Sequence, residues 1–200
     1  ADLMLYQEQN VAVHTTGHFT SGATPVMNGT TVSGATTVVT NGWSGSNTVK
    51  KGDVFTIAGV YAVDPLNGNS TGRLRQFVVT ADTADVSADM TIPISPSIVT
   101  SGPYKTVNAV PLTTAALTFM GSEDTAYPQN LVYHPNAFGL VTVPIEIPSN
   151  EWGARMTTDS GLSLRAVKQY SISTDKEAMR FDVLAGKKTL DASFACRVWG

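Results

Sequence analysis

From Val11 to Met120 the chain repeats one pattern: a short run of β-branched or aromatic residues, then a turn rich in Gly, Asn, Asp or Pro. The clearest instance is residues 50–65, KKGDVFTIAGVYAVDP. Lys51-Gly52-Asp53 supplies the turn, residues 54–63 the strand, and Asp64-Pro65 its stop. Further runs lie at residues 11–15, 26–34, 36–40, 77–81, 90–94 and 117–120, and the Asn41-Gly42 step after residue 40 predicts a two-residue hairpin. No amphipathic helix longer than two turns precedes residue 125. Strands this closely spaced predict a barrel or sandwich, not alternating βα units.

After Asp124 the texture changes. Tyr127-Pro128-Gln129-Asn130 predicts a short helical turn running to His134 and ended by Pro135. Val141, Val143, Ile145 and Ile147 then alternate with Thr142, Pro144 and Glu146, which predicts a strand with one buried face. Pro144 removes a backbone donor, so that strand belongs at an edge or a bulge. Residues 162–172, 180–185 and 195–198 complete a second sheet-rich unit over 125–200, joined to the first by the Pro- and Ser-punctuated stretch 93–106. The expected fold class is mainly β, with α+β character in the later part.

Only 14% of the 200 residues are charged and 42% are apolar, which excludes a disordered chain and leaves a low-charge, Thr- and Val-rich surface. Such a surface suits a protein packed against neighbours, or an extracellular β-domain. The net charge of -3, with Lys and Arg scattered, supplies no basic face for a nucleic-acid backbone. No apolar stretch approaches the roughly twenty residues that span a bilayer. The single cysteine, Cys196, excludes an intrachain disulfide and reads as a small core residue.

No catalytic constellation is evident. No serine sits in a Gly-x-Ser-x-Gly elbow, and the carboxylates lie mostly in turns. His14-Thr15-Thr16-Gly17-His18 has the three-residue gap of some metal sites but no third ligand nearby. Asp82, Asp85 and Asp89 lack the glycine turn and closing Glu of a calcium loop and read as a solvated turn. The expectation is therefore no enzyme, no metal and no cofactor.

Several segments, in order, resemble one family. They are residues 2–6 through 11–15, the 31–35 step TVSGA, the Lys-Gly-Asp turn, Phe77-Val78-Val79, and Ala137-Phe138 leading to Val143-Pro144-Ile145-Glu146-Ile147-Pro148. Together they are similar to the back half of major capsid proteins of the phage P-22 coat type, which have the tailed-phage (HK-97-type) capsid fold. The abrupt apolar start agrees with a carboxy-terminal piece. The resemblance implies a segment leaving the axial domain at 1–29, an insertion β-barrel at 30–122, and a returning axial and peripheral sheet at 123–200. It implies a structural subunit of an icosahedral virion, assembled in the host cytoplasm, whose partners are other copies of the coat protein and a scaffolding protein.

Where such proteins carry a long loop to a neighbouring capsomer, residues 40–48 offer only a short turn. The loop at 64–75 matches a loop directed at subunit contacts, so Asp64, Asn67, Arg73 and Arg75 become candidate contact residues; Arg73 and Arg75 suit forked bonds to carboxylates. Trp152 and Arg155 are candidate interface anchors, although Trp152 and Trp199 read first as core. The alternative class is an extracellular β-sandwich binding module, an adhesin or carbohydrate-binding domain.

Overall fold

The computed structural model of the chain describes residues 4–19, 23–149 and 151–199. Residues 1–3, where the opening segment starts, lie outside the described residues. The chain divides into two compact units, Ala1–Gln129 with Trp199–Gly200, and Asn130–Val198.

The first unit is built on β1 (Val13–Thr15), β2 (Val26–Met27), β3 (Ala35–Asn41), β4 (Thr48–Val49), β5 (Val54–Val63), β6 (Ser70–Val79), β7 (Thr83–Ala84), β8 (Met90–Ile98) and β9 (Leu117–Phe119). Six of these form a sheet in the order β2-β3-β8-β6-β5-β9. Beyond β9 the sheet returns to β2: Met27 N donates to Ala115 O at 2.9 Å and Leu117 N to Pro25 O at 2.9 Å. The ring thus nearly closes into a barrel, with β6 joined to β8 only at Val78 and Val79. Its interior holds Phe55, Ile57, Val60, Phe77, Val79, Ile92, Ile98 and Val107, all buried. At one end Phe119 lies 5.2 Å from Phe55, 4.5 Å from Phe19 and 5.9 Å from Trp43 between ring centroids.

Strand β5 shows how the sequence makes the curve. Phe55 and Ile57 point inward, Ala58 and Gly59 both face out, and Val60 points in again. The pairing with β6 shifts register between Thr56 and Tyr61, and Gly59 has φ +79°. The Ala-Gly-Val step is therefore a β-bulge that needs glycine and turns the strand around the core.

Two expectations for this unit are corrected. Asn41-Gly42 ends β3 but makes no hairpin, because Trp43 turns back into the core and bonds Thr40 Oγ1 through Nε1 at 2.9 Å. The supposed connector at 93–106 begins as β8, a central barrel strand with Ile94 and Ile98 buried. The acidic residues brace loops: Asp82 Oδ1 accepts from Lys51 N at 2.7 Å and Asp85 Oδ1 from Asn47 N at 2.5 Å.

Between Asp85 and Asp89 the chain turns sharply, with Val86 and Asp89 exchanging backbone bonds and Ser87 and Ala88 at φ +54° and +69°. Both central residues carry a Cβ in the left-handed region, which costs about 1–2 kcal/mol each. Ala88→Gly is expected to stabilise the unit by about 0.5–1 kcal/mol after the added chain entropy of glycine, read from the urea midpoint.

Strand β10 (Ala126–Tyr133) starts in the first unit, where His14 pairs with Tyr127 and Thr15 with Ala126. This replaces the expected helical turn, since Thr16 N donates to Thr125 O and Gln129 N to Ala12 O, fixing the segment as extended. The 3-10 turn comes later, at Pro135–Ala137, and a second at Ala192–Phe194.

The second unit contains β11 (Phe138–Val143), β12 (Trp152–Thr157), β13 (Ser163–Ser171), β14 (Lys176–Asp182), β15 (Leu184–Thr189) and all of β16 (Ala195–Trp199) but its last residue, which counts with the first unit. The strands β12-β13-β14 form one sheet and β11-β15 another. Arg165, held by Asp182 through Nε and Nη2 at 3.1 and 2.6 Å, ties β13 to β14. Among its described residues only Ala137 and Ser163 are buried. The 141–147 stripe is accordingly not buried: Val141, Val143 and Ile147 are exposed, and across from Val141 and Val143 the partner β15 offers only Gly186 and Leu184. Cys196 is exposed too, because the alternation of β16 turns Ala195 and Arg197 inward and Cys196 out.

Candidate subunit-contact site

The β5–β6 hairpin starts at the Lys-Gly-Asp turn and ends ten residues later in a tip at residues 64–69. Asp64 Oδ1 accepts from Leu66 N at 2.9 Å and Asn67 Oδ1 from Asn69 N at 2.8 Å, so both expected contact residues shape the tip itself. Lys105 Nζ donates to Gly68 O at 2.8 Å and braces it from the neighbouring turn. What the tip presents is Leu66, 96% exposed. Residues 70–75, expected as loop, are the first part of β6. There Arg73 is exposed, whereas Arg75 is half-buried, its Nε has no hydrogen-bond partner, and burial lowers its pKa from the ordinary guanidinium value.

Two residues that sequence reasoning missed share this end of the barrel. Tyr104, 84% exposed, precedes the bracing Lys105. Val32 stands on a turn that Ser33 Oγ fastens to Thr100 N at 3.1 Å. An apolar residue in a polar turn was a usable signal for Leu66. Nothing local marked the other two, because their grouping depends on barrel closure.

Trp152 and Arg155 lie on β12 at positions of opposite parity and project from opposite faces. Trp152 is 61% exposed, so the core reading fails for it. Arg155 is exposed opposite Arg165, whose charge Asp182 takes up. The two Arg partners hold the Asp182 carboxyl below its usual value, Arg165 more than Arg180.

At the other end of the barrel the two histidines do not converge. His14 Nε2 meets Asp53 Oδ1 at 2.7 Å, while His18 Nδ1 meets Asp124 Oδ2 at 2.5 Å with Glu123 at 4.0 Å. Among the described residues no group of three metal-ligating side chains forms. The bond to Asp124 raises the His18 pKa above its ordinary value against desolvation, and the charges of Asp124 and Glu123 add to the rise. A raised histidine stabilises the fold fully below its unfolded pKa of about 6.5 and loses that contribution as pH rises through the folded pKa. Melting temperature is therefore expected to decline as pH rises above about 6.5, and His18→Ala to flatten the decline.

The P22 coat protein family model, described as P22 coat protein, gene protein 5, matches residues 8–195. The chain belongs to the P22 coat protein family. It is a structural subunit of a phage capsid that assembles with copies of itself, and its role is that of a shell component. Among solved structures it is similar to the CUS-3 coat protein I-domain, at 24% identity over 52% of this chain and 99% of that one, with a TM-score of 0.37. No curated protein matches it. For a P22-type coat protein, the loops of the barrel and the exposed strands of the second unit are the surfaces to weigh as contacts.

Proposed function

We propose that the barrel is the insertion domain of this coat protein and that its far end, carrying Leu66, Arg73, Tyr104 and Val32, contacts a neighbouring copy in the shell. The observation that carries this is Leu66, an apolar side chain wholly outside its own fold on a tip braced by Lys105. Exposed apolar groups beside an arginine are the usual anchors of protein contacts. The second unit adds Trp152 and Met156 on one face of β12, which the rest of the coat protein shell covers. Scaffolding protein acts as the assembly partner, in the host cytoplasm.

The test is a photo-crosslinking residue at position 66 in assembled coat particles. Coat–coat dimers are the expected product, absent from unassembled protein. Particles without such dimers would remove the contact. Leu66→Ser with Arg73→Ala is expected to lower particle yield at least fivefold in sedimentation assays while leaving the melting temperature unchanged.

A further inference from the structure

The motif His14-Thr15-Thr16-Gly17-His18 takes part in none of the contacts proposed above, yet it is among the most heavily bonded segments of the first unit. Asp53, 1% exposed in the Lys-Gly-Asp turn, is its centre. One carboxylate oxygen meets His14 Nε2 at 2.7 Å. The other accepts from Gly17 N at 3.1 Å and from Lys50 N at 2.7 Å. The group therefore bonds both the turn that starts β5 and the strand that arrives from outside the barrel. A carboxylate suits the position because it accepts without donating, and two backbone donors already converge on one oxygen.

The incoming segment is closed in from its other side as well. Thr16, fully buried, donates through Oγ1 to Ser122 O at 2.6 Å and receives Thr125 N at 3.0 Å. Asp124 N donates to Gly17 O at 3.1 Å and Thr48 N to His18 O at 2.9 Å. At Gly17 an added Cβ would lie 2.2 Å from Thr48 O and 2.8 Å from Val49 Cα, so the strand touches the barrel backbone directly. The segments entering and leaving the barrel are thus bonded to each other and, through Asp53, to the barrel.

We infer that Asp53 is a positioning residue: its carboxylate locks the barrel to the β1–β10 strand pair, so that the far loops keep one orientation. The lever arm makes this matter. Ten strand residues at about 3.3 Å each put the 64–69 tip about 30 Å from the lock, so a tilt of about 10° there displaces the tip by about 5 Å. That exceeds what any hydrogen bond or side-chain contact tolerates. A barrel on two loose linkers presents its loops anywhere in that arc.

The test uses residual dipolar couplings and amide exchange on the 200-residue chain. In the unaltered protein one alignment tensor is expected to fit both the barrel amides and those of residues 13–15 and 126–128. Asp53→Ala is expected to require two tensors, and to speed exchange at Thr16, Gly17, Lys50 and Asp124 at least tenfold while Ile92 and Ile94 stay protected. If Asp53→Ala fails to fold, His14→Ala decides, since His14 lies outside the barrel strands; it is expected to loosen the same amides by about threefold or more. Where Asp53→Ala does fold, the His14 effect should vanish in the double variant, because the two residues share one interaction. A single tensor in the folded variants would overturn the inference. So would faster exchange spread evenly through the barrel core, which would make Asp53 a stability residue only.

Discussion

Phe55→Ala is expected to lower the stability of the first unit by about 3–5 kcal/mol, the usual cost of emptying an aromatic site in a closed core. Phe55 is fully buried, pairs with both Phe77 and Phe119 across β5, and lies 5.9 Å and 5.2 Å from their ring centroids. Through Phe119 it also supports Phe19 and Trp43. A domain of this size has about 5–15 kcal/mol in total, so the loss is a large part of the margin. Urea melts followed by fluorescence should show the midpoint falling at constant slope. An effect below about 1 kcal/mol would mean that the aromatic cluster repacks around the gap, and that the barrel end is far more plastic than its contacts indicate.

The parts of this fold that were legible in the sequence are those in which one strand settles its own inside and outside. Residues 54–63, 90–94, 163–171 and 195–198 carry a period-two or β-branched pattern and became strands. Closure was not legible, because β2 contributes only Val26 and Met27 and its partners lie near residues 40 and 115. The Asn41-Gly42 hairpin failed because the next residue, Trp43, gains more by burial than the turn gains by its geometry. The stripe at 141–147 says that one face needs covering, not what covers it; among the described residues Val141, Val143 and Ile147 stay exposed.

The candidate site shows the same division. Ser70-Thr71-Gly72-Arg73 reads as loop by composition but is held extended by β5 through Val63↔Ser70 and Tyr61↔Leu74. His14 and His18 share a parity on an extended chain, which made a joint site conceivable. The structure instead gives each its own aspartate from segments 39 and 106 residues away. No local pattern carries such information.

The largest remaining consequence concerns what folds by itself. Residues 23–121, which hold all six barrel strands, are expected to melt cooperatively when expressed alone, whereas residues 30–122 are expected to be weaker by about 2–5 kcal/mol. The shorter piece lacks Met27, 1% exposed in the core, and removing a buried methionine side chain carries about that cost. It also lacks the bonds of Met27 N and Leu117 N that join the first and last strands. Without β2 the ring becomes an open sheet whose β3 and β9 edges present unpaired groups, a template for association. Trp43, the one tryptophan inside both fragments, reports their melting by fluorescence. Equal midpoints would mean that β2 is an accessory strand and that closure comes from the other five; a concentration-dependent loss of the 30–122 fragment would instead tie solubility of the barrel to those two residues.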